Sequence, residues 1–311
     1  MTYKLTEGRL YTVDVSGFIF RAYYALPAVT RQDGTPIGAV LGFCNMLMKL
    51  RKMIMENSSN PLWCGAFDVS RKSFRTDIFP AYKAHRQETP QELVPQFAII
   101  KEAVAAFGLP VLEEPGFEAD DVIASCAKIA TASGLKTVVV SSDKDLMQLY
   151  SDSVSIFDPM KNKWISEDDV RAKFGVCPAL VPDVQALAGD ASDGIPGVPG
   201  VGLKTAAELI NKFGSLEDLL SNVYALPKGK RRDLIIEHAN AARFSKKLAT
   251  LKDDVELTGL SPNSSGDIPQ TFFDLACPSL LDGARKEILA DFFQKQGFVE
   301  LNRRLQTNCA A

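Results

Sequence analysis

Apolar residues recur along the chain in two alternating rhythms. Short continuous runs at 10–13, 63–67, 137–140 and 154–157 each stop at an acid or a polar run that carries one: Asp14, Asp68, Ser141-Ser142-Asp143-Lys144-Asp145 and Asp158. Runs of this length and composition read as buried strands. Between them, apolar positions repeat at helical spacing: Val40, Phe43, Cys44, Leu47 and Met48, then Phe97, Ile100, Val104 and Phe107 closed by Gly108 and Pro110, then Val122, Ile123, Cys126, Ile129 and Ala130. Strands alternating with helices predict an α/β fold built on a central, largely parallel sheet with helices on both faces. Functional groups in such sheets gather at the carboxyl ends of the strands, where these acids stand. After Cys177 the pattern turns mostly helical, broken by a Gly/Pro-rich hairpin at 195–202; 261–269 reads as a linker and 280–305 as a last helical stretch.

Composition narrows the class. The 311 residues are 46% hydrophobic and 23% charged, enough to bury a full core. No apolar run approaches the roughly 18 residues of a membrane helix, and residues 1–10 lack the basic-then-apolar plan of a signal peptide. Lys and Arg number 35 against 38 Asp and Glu, a net charge of −3, so a nucleic-acid partner would have to be read from local charge. Cys44, Cys64, Cys126, Cys177, Cys277 and Cys309 are scattered without a Cys-x-x-Cys pair, which argues against disulfides and zinc and for the reducing cytoplasm. With His85 and His238 the only histidines, catalysis would run on carboxylates and cations.

Three features carry that chemistry. Asp14, Asp68, Glu118, Asp120, Asp121, Asp143, Asp145, Asp190 and Asp193 would converge on one sheet edge if the strands near 10, 63 and 137 are neighbours. Singly, each acid can be a helix cap or a turn residue. Gly-Phe-Glu-Ala-Asp-Asp, however, offers three acids where a cap needs one. Converging carboxylates either take up protons or are held by multivalent cations, and an all-oxygen donor set suits Mg²⁺ or Mn²⁺. Secondly, Arg71, Lys72, Arg75, Lys83 and Arg86, interleaved with Phe74, Phe79 and Tyr82, follow Asp68 directly. Such cations can grip the phosphate that the acids address. Thirdly, the 195–202 hairpin has Gly197 and Gly202 at P-loop separation, but Leu203 intervenes before Lys204 and no buried strand precedes it. It is better suited to presenting backbone N–H groups to a nucleic-acid phosphate. Lys228, Lys230, Arg231, Arg232, Arg243, Lys246 and Lys247 lie downstream.

Taken together, Asp14-Val-Ser-Gly-Phe-Ile-Phe-Arg-Ala-Tyr, Phe79-Pro-Ala-Tyr-Lys-Ala-His-Arg, Gly116-Phe-Glu-Ala-Asp-Asp-Val, Ser141-Ser-Asp-Lys-Asp-Leu and Gly189-Asp-Ala-Ser-Asp-Gly-Ile-Pro-Gly-Val-Pro-Gly-Val-Gly resemble the 5′-nuclease domain of bacterial DNA polymerase I and its flap-endonuclease relatives. The resemblance runs from about Leu10 to about Leu305, with the motifs in the family's order. It implies a PIN-like nuclease core (1–177) with a helical arch at about 71–95, a helix–hairpin–helix-type DNA-binding module (178–260), and a linker with a C-terminal helical segment (261–311). Asp14, Asp68, Glu118 and Asp120 match the family's first metal site. Asp143, Asp145, Asp190 and Asp193 match the second, with Asp121 in support. Lys83 and Arg86 match the arch cations that hold the scissile phosphate. Arg21, Arg71, Lys72, Arg75 and Tyr82 are the implied DNA contacts of the core, and Gly197, Gly200, Gly202, Lys204 and Thr205 those of the hairpin, where relatives also bind a monovalent cation such as K⁺. Val15 stands where a Gly is usual, and Gly194 where an Asn is usual.

The expected activity is hydrolysis of DNA with a free 5′ end or 5′ flap, using two Mg²⁺ ions for which Mn²⁺ can substitute, and leaving 5′-phosphate and 3′-hydroxyl ends. The expected state is a monomer that needs no membrane and acts beside a DNA polymerase on the same substrate. The arch is expected to be mobile without DNA and to order over a threaded 5′ end. The rival readings are a metal-dependent ribonuclease with a related core and a non-catalytic binder of branched DNA.

Overall fold

The computed structural model describes residues 8–59, 61–257, 260, 268, 276 and 283–307. Most of the 261–269 linker, Cys277 and Cys309 lie outside the described residues. Each run read as a strand pairs with another: β1 (Arg9–Asp14), β2 (Pro61–Ala66), β4 (Lys136–Val140) and β5 (Val154–Asp158). Two short strands complete a six-stranded sheet in the order β3-β2-β1-β4-β5-β6. These are β3 (Val111–Leu112) and β6 (Lys163–Ile165), the latter antiparallel to β5. All other pairings are parallel, with Leu10 opposite both Leu62 and Thr137.

Successive side chains of a strand point to opposite faces, so one buried run feeds two cores. Tyr11, Val13, Trp63, Val138 and Val140 pack with α1 (Val15–Ala25), α2 (Gly38–Asn57) and α4 (Val94–Ala106). The C-terminal helices α12 (Gly283–Gln296) and α13 (Val299–Thr307) close that layer through Phe292, Phe293, Phe298, Leu301 and Leu305. Leu10, Leu62, Cys64 and Val139 face α5 (Ala119–Ala132), α6 (Glu167–Phe174) and the helical module that follows. That module comprises α7 (Val181–Ala188), α8 (Leu203–Phe213), α9 (Leu216–Ser221), α10 (Lys230–Glu237) and α11 (Ala239–Ala249). The segment at 71–95 holds one short helix, α3 (Phe74–Ile78), followed by turns.

Topology explains where the acids meet. From β1 the chain steps outward to β2 and β3, then returns along α5 to β4 on the other side of β1. This reversal opens a crevice at the carboxyl ends of β1 and β4, the usual ligand position in such sheets. Among the described residues, Cys44, Cys64, Cys126 and Cys177 are free thiols, and no helix is long and apolar enough to cross a membrane.

The C-terminal pair of helices is held by aromatic packing: Phe293 is fully buried and meets Phe107 edge-on with ring centroids 6.0 Å apart. Phe293→Ala is expected to destabilise the fold by about 3–5 kcal/mol, read as a lowered denaturant midpoint at unchanged slope.

Candidate active site

Asp14 ends β1 and caps α1, accepting from the Gly17 N–H at 2.7 Å and from Ser141 Oγ, at the end of β4, at 2.7 Å. Asp68 follows β2 and accepts from the Ala119 N–H at 2.8 Å, so the start of α5 is tied to the end of the second strand. Glu118 and Asp120 stand at that same helix start. Asp143 follows Ser141, whose Oγ accepts from the Asp143 N–H at 3.0 Å; its Oδ1 accepts from the Asp145 N–H at 2.9 Å. Asp190 and Asp193 arrive on the turn after α7, where Asp190 and Ile195 exchange two backbone hydrogen bonds of 2.8 Å. Hence the acids of five separate segments border one crevice.

Crowding these carboxylates has an electrostatic cost that is visible group by group. Burial, then the Asp68 and Asp143 charges, push Asp14 up to about 6. Burial with Asp143 and Asp14 drives Asp120 well above the usual carboxylate range, and burial with Asp143 raises Asp145. Glu118 goes the other way: burial opposes its charge, but Lys83 and Arg75 outweigh burial and hold it below its ordinary value.

The 71–95 segment lies folded against the crevice. Lys83 Nζ donates to Glu118 Oε2 at 2.7 Å and lies 3.5 Å from Asp193 Oδ2, while Arg86 donates to Asp193 Oδ1 at 2.8 Å. The Tyr82 hydroxyl bridges Glu118 Oε2 and Asp193 Oδ2 at 3.2 and 3.0 Å. Lys83 holds a left-handed backbone, φ 53, with its N–H on the Asp193 carbonyl at 2.9 Å. Non-glycine residues adopt that region at a cost, which surrounding contacts must sustain. Ser73 Oγ donates to Glu118 Oε1 at 2.9 Å, a site contact for which the sequence carried no signal.

Expectations for three core residues are corrected. Arg75 does not face DNA and Asp121 does not face the crevice: side-chain exposures are 1% and 0%, and they form a bidentate pair at 2.6 and 2.8 Å. Arg75 Nε also donates to the Leu248 carbonyl and its Nη2 to the Thr250 carbonyl, while Asp121 accepts from the Lys252 and Glu118 N–H groups. With every oxygen so engaged, Asp121 has nothing left for a metal. Tyr82, also expected to contact DNA, is 4% exposed, with its hydroxyl on the two carboxylates. Arg21, Arg71 and Lys72 are exposed, Arg71 donating to the Gln87 carbonyl at 2.7 Å.

A second cluster forms where α7 meets the 143–145 turn. Lys144 Nζ donates to both Asp145 oxygens and to Asp190 Oδ2. Gln185 Nε2 donates to Asp145 Oδ1 at 2.6 Å and Asp190 Oδ2 at 3.2 Å. Lys144 lay in plain view inside the acidic motif; Gln185, on an apolar helix, carried no sequence signal. Gln185 Oε1 is buried without a partner, an acceptor that a hydrated cation could satisfy through its water. The donor set thus fits Mg²⁺ or Mn²⁺ in kind: Asp14, Asp68, Glu118, Asp120, Asp143, Asp145, Asp190 and Asp193 supply oxygen only. As the side chains stand, lysines lie between the acids, and no three His, Cys, Asp or Glu among the described residues form a ready cage.

The hairpin is tied to this cluster from below. Gly197 has φ 63, its N–H donates to the buried Ser245 Oγ at 3.2 Å, and a Cβ there would lie 2.3 Å from the Gly189 nitrogen. Only glycine allows that approach, so Gly197, expected to contact DNA, is instead buried with its N–H on Ser245. Gly194, at φ 73, likewise needs a left-handed residue, which explains why Gly can stand where Asn is usual. Gly200, Gly202 and Lys204 are exposed, with Thr205 partly so, at the start of α8.

A switch-point sheet bordered by acids and joined to a helical module is a fold that solved nuclease structures share. T5 5′-exonuclease with bound zinc superposes with a TM-score of 0.64 at 20% identity, covering 92% of this chain and 98% of that chain. Bacteriophage T5 flap endonuclease in a complex with DNA and metal ions gives 0.62, with the same identity and coverage. Family models match as well: "5′-3′ exonuclease, N-terminal resolvase-like domain" over residues 9–175, and "5′-3′ exonuclease, C-terminal SAM fold" over 176–264. The chain belongs to the 5′-3′ exonuclease family of phosphodiester-hydrolysing nucleases. A 5′-3′ exonuclease of Aquifex aeolicus (strain VF5) is 38% identical over 253 residues, 80% of this chain and 83% of that protein. DNA polymerase I of Rhizobium leguminosarum is 49% identical over 252 residues, and the match spans 25% of its length.

Two expected outcomes follow from the charges. Removing one partner of the buried pair, as in Arg75→Met, is expected to cost about 3–5 kcal/mol, and the double change Arg75→Met/Asp121→Leu less, both read by chemical denaturation. Asp14, raised from 3.8 to about 6, withdraws stability as pH climbs through that interval, because the folded state resists its ionisation. In chelator, Asp14→Asn should therefore melt above the parent protein at about pH 7.5, and lose that advantage near pH 4.

Proposed function

We propose that this chain is a divalent-metal-dependent 5′-3′ exonuclease and structure-specific 5′-flap endonuclease on DNA, leaving 5′-phosphate and 3′-hydroxyl ends. The observation that carries the reading is the convergence of acids from five segments on one crevice, with Lys83 and Arg86 bridging them. Bound at these carboxylates, two Mg²⁺ ions, or Mn²⁺ in their place, would supply water activation and stabilisation of the leaving 3′ oxygen.

The remaining work falls to the chain's own side chains. Asp14, Asp68, Glu118 and Asp120 serve one cation position; Asp143, Asp145, Asp190 and Asp193 serve the other. Lys83 and Arg86, now paired with Glu118 and Asp193, exchange those partners for the scissile phosphate as the 71–95 segment shifts from the crevice to cover a 5′ end. The 178–260 module holds the duplex: Gly197 shapes the hairpin from its buried position, Gly200 and Gly202 bring backbone close to phosphate, Lys204 and Thr205 add side-chain contacts, and the hairpin carbonyls offer a K⁺ position. Arg21, Arg71 and Lys72 extend the grip on the core side. A monomer working in the cytoplasm beside a DNA polymerase completes the reading; several relatives are themselves named DNA polymerase I.

A 5′-labelled flap duplex tests it. Cleavage should require Mg²⁺ or Mn²⁺, stop in excess chelator and return on metal addition; undiminished cutting in chelator would sink the proposal. In the same assay Lys83→Ala should slow cleavage by roughly 10²–10³-fold while changing DNA affinity far less, since its charge matters most where the transition state gathers negative charge.

A further inference from the structure

Lys144 is the one cation that the acidic motif itself supplies, and it occupies a defined place. Its ammonium lies 3.1 and 3.3 Å from the two oxygens of Asp145 and also contacts Asp190 Oδ2. The two carboxylates are 16% and 9% exposed, and the lysine 29%, so the ammonium caps the pair from the solvent side. Gln185 Nε2 holds the same two carboxylates from the protein side, with its Oε1 buried and unpartnered. Ser192 adds its N–H and Oγ to Asp190 Oδ1 at 2.9 and 2.5 Å, and within this cluster a single positive charge, on Lys144, faces the two carboxylates.

We propose that Lys144 is an exchangeable counter-ion of the Asp145–Asp190 pair: it keeps the two carboxylates together in the metal-free protein and must leave when a divalent cation takes them. This deepens the metal-dependent reading given above and rests on it. The physical case is direct. A compact ammonium on a flexible four-carbon stem can swing into water with its charge intact, whereas Gln185 on α7 cannot. A doubly charged ion offers the pair twice the charge at the same oxygens, and both cannot share them without repulsion. Lys144 therefore spares the metal-free fold the repulsion between Asp145 and Asp190, at the cost of weaker metal affinity. Lys83 stands in a comparable relation to Glu118, but its assignment to the phosphate makes it unsuitable as a test.

Mn²⁺ titration of the DNA-free protein, followed by electron paramagnetic resonance, reads the exchange without any cleavage. The binding class belonging to this pair is the one lost in Asp190→Asn. In Lys144→Met that class should tighten about tenfold or more, while the metal-free protein melts lower and gains a larger Mn²⁺-induced rise in Tm. A second readout uses the unaltered protein: acetylation of Lys144 by an amine-reactive ester, quantified by mass spectrometry, should be slow in chelator and accelerate with Mn²⁺. Equal or weaker Mn²⁺ binding in Lys144→Met, or labelling of Lys144 that Mn²⁺ leaves unchanged, overturns the exchange while the metal-dependent reading stands. Failure of both proteins to bind Mn²⁺ overturns both.

Discussion

Mutual repulsion among buried carboxylates is the constraint around which this molecule is organised. The parallel sheet delivers Asp14 and the 143–145 turn to adjacent strand ends, and α5 adds Glu118 and Asp120. Left alone, such a crevice would open or take up protons, and the raised values of Asp14, Asp120 and Asp145 record that pressure. What balances it is a set of cations reaching in from outside the sheet: Lys83 and Arg86 from the 71–95 segment, and Lys144 from within the motif. Each of these cations is paired directly with a carboxylate of the crevice.

A second charge pair does different work. Arg75 and Asp121 are sealed from water, and the guanidinium spends its remaining donors on the carbonyls of Leu248 and Thr250 at the end of α11. Three parts of the chain, the start of the 71–95 segment, the first turn of α5 and the end of the helical module, are therefore joined at one point. A buried pair of this kind adds little net stability, yet losing either half leaves an uncompensated charge. It ties the segment that carries Ser73, Tyr82 and Lys83 to the helix start that carries Glu118, with Arg75 Nη1 itself 3.9 Å from Glu118 Oε2.

Local pattern carried the four principal strands and their helices because each is long enough for burial to impose a period. It missed β3, two residues long, and β6, an exposed antiparallel edge, because neither spans enough positions for a rhythm to register. Among site residues, the acids were legible because several occur where a single cap would suffice. Gln185 and Ser73 were not, since an amide on an apolar helix and a serine at a helix start each have an ordinary local reading.

Sequence by itself determined the alternation of strand and helix, the all-oxygen character of the donors and the family motifs. Those depend on residue type and spacing along one dimension. Tertiary structure alone decided which charges face the crevice. Asp120 and Asp121 are neighbours in sequence, but the turn of α5 points one towards Asp14 and Asp143 and buries the other against Arg75. Arg75 and Lys83 belong to one basic run, but α3 carries the first inward while a left-handed turn aims the second at Glu118. A charge's role is set by the dielectric and the partners around it, and both are supplied by segments that lie far away along the chain.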